Sequence, residues 1–267
     1  MVNGRFCTQC GEKVLKEKDK SIVHFFEEFI HILTHADSKF LKSLKYLFTK
    51  PGFLTQEYLK GRRKLNTSPL SLFFIGNLLY FLLSPTDALN SHYKTQVGGQ
   101  VYSTYIAGTG EKKMEQRHWT QEEMEEHYDH KSSVISKMMM IVLVFLFSIP
   151  VSLLFYRRDR FYFDHLVFAT EFINYVIYVV LLAIPLLIFL FILLVYYIFH
   201  TDLSVNVGSN ASIYTLTGLL WLYIYLAAKR VYQQRVVLPQ TVVLTLSVMV
   251  MVLVYRYVLF YVTIWSL

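Results

Sequence analysis

Polar side chains set inside apolar sequence carry the strongest chemical signal in this chain. Asn77 lies in the segment after Pro69, and Asp164, Glu171 and Asn174 lie in the segment after Phe161. An ionisable group in hydrocarbon is costly, so it marks either a solute or proton path or a bond between helices. Asn174 follows Glu171 by one helical turn and Asp164 precedes it by two, so a helix puts all three on one face. At about 1.5 Å per residue, Glu171 lies about 15 Å past Phe161 and Asn77 about 12 Å past Pro69. Those depths predict one polar pocket built from Asn77, Asp164, Glu171 and Asn174. The competing reading is interhelical hydrogen bonding. His165 beside Asp164 reads as a hydrogen-bonded anchor at the interface. Arg256 falls near the far end of the last apolar segment, too distant to pair with Glu171 and placed to snorkel outward.

A second group is cationic. Gly61 is followed by Arg62, Arg63 and Lys64, just before Pro69 opens the first apolar segment. Three cations at the mouth of a span either anchor its orientation or bind a phosphate-bearing lipid headgroup or nucleotide. A third group is the thiol pair Cys7 and Cys10, with Gly11 after it, which has the spacing of one zinc knuckle. A structural zinc needs about four ligands, and no second such pair exists. His24, His31, His35 or a second copy of the chain would have to complete the site. A redox role lacks the surrounding βαβ pattern. No phosphate-binding loop, nucleophile elbow or HExxH is present, so no enzyme is expected.

The elements that position these groups follow from the solvent. The chain has 267 residues, 54% apolar and 17% charged. Long apolar segments run over 69–84, 138–156, 167–199, 212–228 and 237–264. In lipid the backbone must bond to itself, so these are expected to be helices: an all-α membrane protein of five spans. The net charge is +7, and its distribution is more informative than its sum. Residues 1–67 carry 13 Lys/Arg against 7 Asp/Glu, whereas 85–136 carry 5 against 8. Arg157, Arg158 and Arg160 follow, then no Lys or Arg over 200–211, then Lys229, Arg230 and Arg235. This alternation predicts a cytoplasmic N-terminus and an extracytoplasmic C-terminus in a bacterial inner membrane. Attraction to anionic lipid headgroups, not nucleic acid, accounts for the basic head. Residues 1–20 are polar, so no cleaved signal is expected.

Two domains are expected: a cytoplasmic head at 1–67, and a transmembrane part at 68–267 with an extracytoplasmic loop at about 85–136. In the head, helical spacing of apolar residues predicts amphipathic helices over 22–33 and from Asp37-Ser38 to Pro51-Gly52. In the loop, Gly98, Gly99, Gly108 and Gly110 among Tyr and Thr predict short strands or irregular chain. Thr120 and Glu123 form a capping-box signature for a helix leading into the second span. The segment from Phe161 to Phe199 is too long for one upright crossing, so an interfacial lead-in and a helix kinked at Pro185 are expected.

Cys7-x-x-Cys10-Gly11, Pro51-Gly52, Tyr58, Gly61-Arg62-Arg63, Pro69 and Asp164-His165-Leu166-Val167-Phe168-Ala169 together resemble a family of uncharacterised multi-span inner-membrane proteins found widely in Bacteroidota. Its pattern reads CxxCG, PG, YxxGKR, P, then a segment like EHLVFALH. Here Glu12 replaces a usual Gln, and Thr170-Glu171 replaces Leu-His, which removes the second histidine. The resemblance covers about 1–85 and 155–180, and implies a helical membrane fold without an agreed activity. Two functions are therefore carried forward. One is transport or lipid handling through the polar pocket and its arginine mouth. The other is membrane-anchored assembly, with the head docking a protein partner or the chain forming a homo-oligomer.

Overall fold

The computed structural model describes residues 38–63, 65–83, 89, 91–156, 160–199, 210–233 and 238–267. Cys7, Cys10, the predicted helix over 22–33 and Lys64 lie outside them. The chain divides into two compact units, Met1–Lys42 and Ser43–Leu267. Of the first, only the opening turn of one helix is described. The remaining helices all belong to the second.

Among the described residues every regular element is a helix. They are α1 Ser38–Thr49, α2 Phe53–Leu59, α3 Pro69–Leu83, α4 Tyr93–Gly99, α5 Ser103–Arg117, α6 Gln121–Met138 and α7 Met140–Leu154. Then come α8 Tyr162–Tyr175, a π-helical segment Val176–Ala183, α9 Ile184–Phe199, α10 Asn210–Tyr232 and α11 Leu238–Ser266. Among the described residues two helices are each long and apolar enough to cross a membrane: Tyr162–Ile198, counted through the π segment, and Leu238–Ser266. The pair α6 and α7 qualifies as a third if taken together, although it bends by 56° at Met139. Pro69–Leu83 is apolar but short, with 15 residues.

The stretch from Tyr162 does not break at Pro185. It continues as one helix of 37 residues. Proline has no N–H to donate to the carbonyl one turn back. The wider π turns lie immediately before it, where such a disturbance is absorbed.

α1 is a helix over the predicted stretch. Ser43 and Leu47 are fully buried, while Leu41 and Phe48 are about half exposed. The expected strands or irregular chain before Thr120 are instead α4 and α5. Tyr93 and Ile106 from these helices pack with Met124 and Tyr128 of α6 and Phe260 and Ile264 of α11. Burial of those aromatic and aliphatic side chains outweighs the weak helix propensity of the glycines. The capping box is present: the Glu123 amide donates to Thr120 Oγ1 at 3.3 Å, and the Thr120 amide donates to Glu123 Oε2 at 2.8 Å.

Four packings position the site. α7 and α3 each lie along α8, α11 packs on α7 and α10, and the short α2 is wedged between α8 and α10. Phe147 stacks on Phe172 at 4.2 Å, Tyr175 on Tyr223 at 3.8 Å and Phe155 on Tyr232 at 4.3 Å, tying α7, α8 and α10 together. Gly76 of α3 sits where an added Cβ would lie 2.9 Å from the Tyr178 ring. A small residue there lets the two helices approach closely.

Candidate functional site

Glu171 is buried in α8, and its Oε2 accepts the Thr55 N–H at 2.6 Å. This N–H is one of the first free donors of α2, which a helix cannot satisfy internally. Gly52 occupies the cap position and has no side chain to do so. Glu171 thus caps α2 from 116 residues away, where the partial positive charge of a helix start favours an anion. A helix of 7 residues would not persist alone.

α10 closes the other side of α2. Arg230 donates to the Pro51 carbonyl, and Gln56 Nε2 donates to the Arg230 carbonyl at 3.3 Å. Gly52 has φ 76°, and a Cβ on it would lie 2.7 Å from the Ala227 carbonyl oxygen and 2.8 Å from its Cα. The Pro51-Gly52 pair therefore does more than end α1: it turns the backbone left-handed and seats it against α10. The space bounded by Phe168, Glu171, Phe172, Tyr223 and Ala227 has no room for a water molecule. Where the sequence suggests an open pocket beside Glu171, α2 fills the position with its own amide.

The other predicted site residues are distributed along the helices. Asn174 Nδ2 donates to the Pro69 carbonyl at 2.7 Å, and Tyr178 OH donates to the Leu72 carbonyl at 2.9 Å. These two bonds set α3 and α8 side by side with Pro69 level with Asn174. Gly76 meets Ile177 and Tyr178, so Asn77 lies about 10 Å farther along than Glu171, six or seven residues at helical rise. The structure does not bring them together. Counting depth from Phe161 misjudges the register because the first turns of α8 run beside α2, before α3 begins. Asp164 pairs with Arg160 at 3.7 Å. His165 Nδ1 shares a hydrogen bond with Tyr232 OH at 2.9 Å, and Arg160 Nη2 donates to the Val231 carbonyl at 3.2 Å. Asp164 and His165 thus belong to the joint between α8 and the end of α10. The backbone carbonyl of Arg256 accepts from Gln96 Nε2 at 3.4 Å, and its own Nε is buried.

The arginine mouth is built on the turn after α2. Gly61, with φ 80°, reverses the chain. Arg62 then returns to Glu57 at 3.3 Å, and Arg63 lies over the Tyr58 ring at 4.6 Å. Thr67 donates its N–H to Ser43 Oγ of α1 at 2.9 Å. Glu57, Tyr58, Arg62, Arg63, Asn66, Thr67 and Ser68 line a cleft of about 10 Å³. A groove of about 570 Å³ opens between α1, α3 and the long helix. Its walls are Leu44 and Phe48 of α1, Leu83 of α3, and Tyr178, Leu182, Ala183, Pro185, Leu186 and Phe189 of the long helix. It is almost wholly apolar.

The sequence pointed to neither this groove nor the partner of Glu171. Ser43, Thr55, Asn66 and Arg230 are ordinary polar residues in sequence, and only Gly52 and Gly61 left a readable trace. Among the described residues no group of three or more His, Cys, Asp or Glu is placed to hold a metal ion.

Comparison with known proteins adds one match: residues 37–81 fit a family model described as "Protein of unknown function (DUF3667)". That stretch comprises α1, α2, the arginine turn and most of α3. No curated protein and no solved structure matches the chain.

Proposed function

We propose that this chain is a lipid-handling protein of a bacterial inner membrane, spanning it five times with its N-terminus in the cytoplasm. The carrying observation is the apolar groove beside α3. From Tyr178 to Phe189 the wall runs about 16 Å, eleven residues at helical rise. One leaflet of a bilayer core is about 15 Å deep, so the groove suits a single acyl chain lying along the membrane normal. Ser43, the chain neighbour of Leu44 in the groove wall, accepts from Thr67 of the arginine cleft, and the basic turn there would face the cytoplasmic headgroups. The half-exposed Leu41 and Phe48 of α1, with lysines between them, suit a helix lying in the headgroup layer. In this reading Glu171 serves as the clamp that holds α2, and with it the cleft, against the bundle.

The test is lipid retention. After detergent purification, wild-type protein should hold about one phospholipid per chain in native mass spectrometry. Ala183→Trp, which fills the groove, should lose it while the thermal transition is kept. Retention that does not respond to the substitution, or no retained lipid in the wild type, would reject the reading.

A further inference from the structure

The arginine cleft has an internal order of charge. Arg62 is well exposed, with its side chain 56% accessible, while the Glu57 carboxylate that holds it is 9% accessible. Arg63 is kept at the rim by the Tyr58 ring. Deeper in the same cleft, Asn66 Oδ1 is buried and has no hydrogen-bond partner. A buried acceptor without a donor is unfavourable, and a ligand N–H would relieve it. Cations at the rim and acceptors below them mirror a zwitterion with phosphate outermost and a donor cation within.

Volume narrows the choice. A space of about 10 Å³ holds roughly one water-sized group. A phosphate is too large to enter. A primary ammonium fits and brings three donors, whereas a trimethylammonium is too large and brings none.

We propose that this cleft recognises the phosphoethanolamine headgroup of a membrane phospholipid. The ammonium sits in the small space against Asn66 Oδ1 and Glu57, and the phosphate lies outside it on Arg62 and Arg63. The inference rests on the acyl groove of the preceding reading, whose wall residue Leu44 is next in the chain to Ser43, the partner of Thr67 in this cleft.

Selective retention tests it. Wild-type protein is exchanged into nanodiscs of phosphatidylcholine carrying equal minor fractions of phosphatidylethanolamine and phosphatidylglycerol, then released for native mass spectrometry. Phosphatidylethanolamine should be enriched about tenfold over both competitors, the worth of one charge-assisted hydrogen bond. Asn66→Leu should abolish that enrichment with total lipid per chain unchanged. Asn66→Asp, which retains an acceptor of the same shape, should keep or raise it, and it guards against a misfolded leucine variant.

Equal retention of the three lipids, or a preference for phosphatidylglycerol, overturns the headgroup assignment and leaves the groove standing. An enrichment that survives Asn66→Leu does the same. Displacement of bound lipid by equimolar soluble glycerophosphoethanolamine would overturn the membrane lipid as the source. A wild type that retains no lipid overturns groove and headgroup together.

Discussion

Replacing Gly52 by alanine should loosen α2 from the bundle by more than any other single methyl added to this chain's turns. Two costs combine. At φ 76° an alanine pays for a left-handed backbone, about 1–2 kcal/mol. Its Cβ would also lie 2.7 Å from the Ala227 carbonyl oxygen and 2.8 Å from its Cα. Both are backbone atoms of α10, which cannot rotate aside as a side chain would, so a helix must move. Overpacking of this kind costs about 1–3 kcal/mol. The two together come to about 2–5 kcal/mol. Gly61 supplies the control, because its φ is 80° but nothing lies within 4 Å of an added Cβ. Gly61→Ala should therefore cost only the backbone share, about 1–2 kcal/mol. Thermal unfolding in detergent gives the two losses of stability, and hydrogen exchange locates them. In the Gly52 variant, exchange should rise across residues 53–59 and at the facing turn of α10. Equal effects of the two substitutions would refute the close approach, and a smaller effect at Gly52 would refute the docking of α2 altogether.

Glu171→Ala should leave the Thr55 amide without its acceptor, costing about 1–3 kcal/mol for a buried donor left unsatisfied; unchanged exchange over 53–59 would contradict this. Thr120→Ala should cost about 1 kcal/mol by removing the cap of α6, read as a lowered thermal midpoint. Hydrogen bonds from the Thr120 backbone amide and hydroxyl hold the Glu123 carboxyl below the usual carboxylate range. Its contribution is therefore present above the unfolded value and lost as pH falls through the folded one. Protection of the α6 N-terminal amides, taken relative to their intrinsic exchange rate at each pH, should fall on acidification below about pH 4.5, with Glu123→Gln removing that pH dependence. A periplasmic reporter appended after Leu267 should be active and the same reporter inserted within 157–159 inactive; the reverse pattern would invert the orientation.

Much of the architecture was legible in the sequence because its causes are local. Apolar runs in a chain that must satisfy its own backbone become helices whatever surrounds them. The box at Thr120 and Glu123 closes within one turn, and it appears in the structure as read. The glycines of residues 98–110 misled, because they were weighed as breakers when Tyr93 and Ile106 packing against α6 and α11 decided the outcome.

The site was less legible, for a definite reason. Glu171 was recognisable as a group that needs a partner, but its partner is a backbone amide, which every residue carries and no residue type advertises. The register of α3 against α8 is set by the bonds of Asn174 and Tyr178 to the Pro69 and Leu72 carbonyls, again invisible in sequence. That register separated Asn77 from Glu171. Nothing in the sequence marks Asn66, whose carbonyl oxygen only the fold buries. The sequence by itself determined a helical chain with apolar segments suited to a membrane and a basic turn before the first of them. Tertiary structure alone decided that α2 folds back to fill the place beside Glu171, and that an apolar groove opens between α1, α3 and the long helix. Periodicity and charge are properties of neighbours along the chain; capping across 116 residues is a property of neighbours in space.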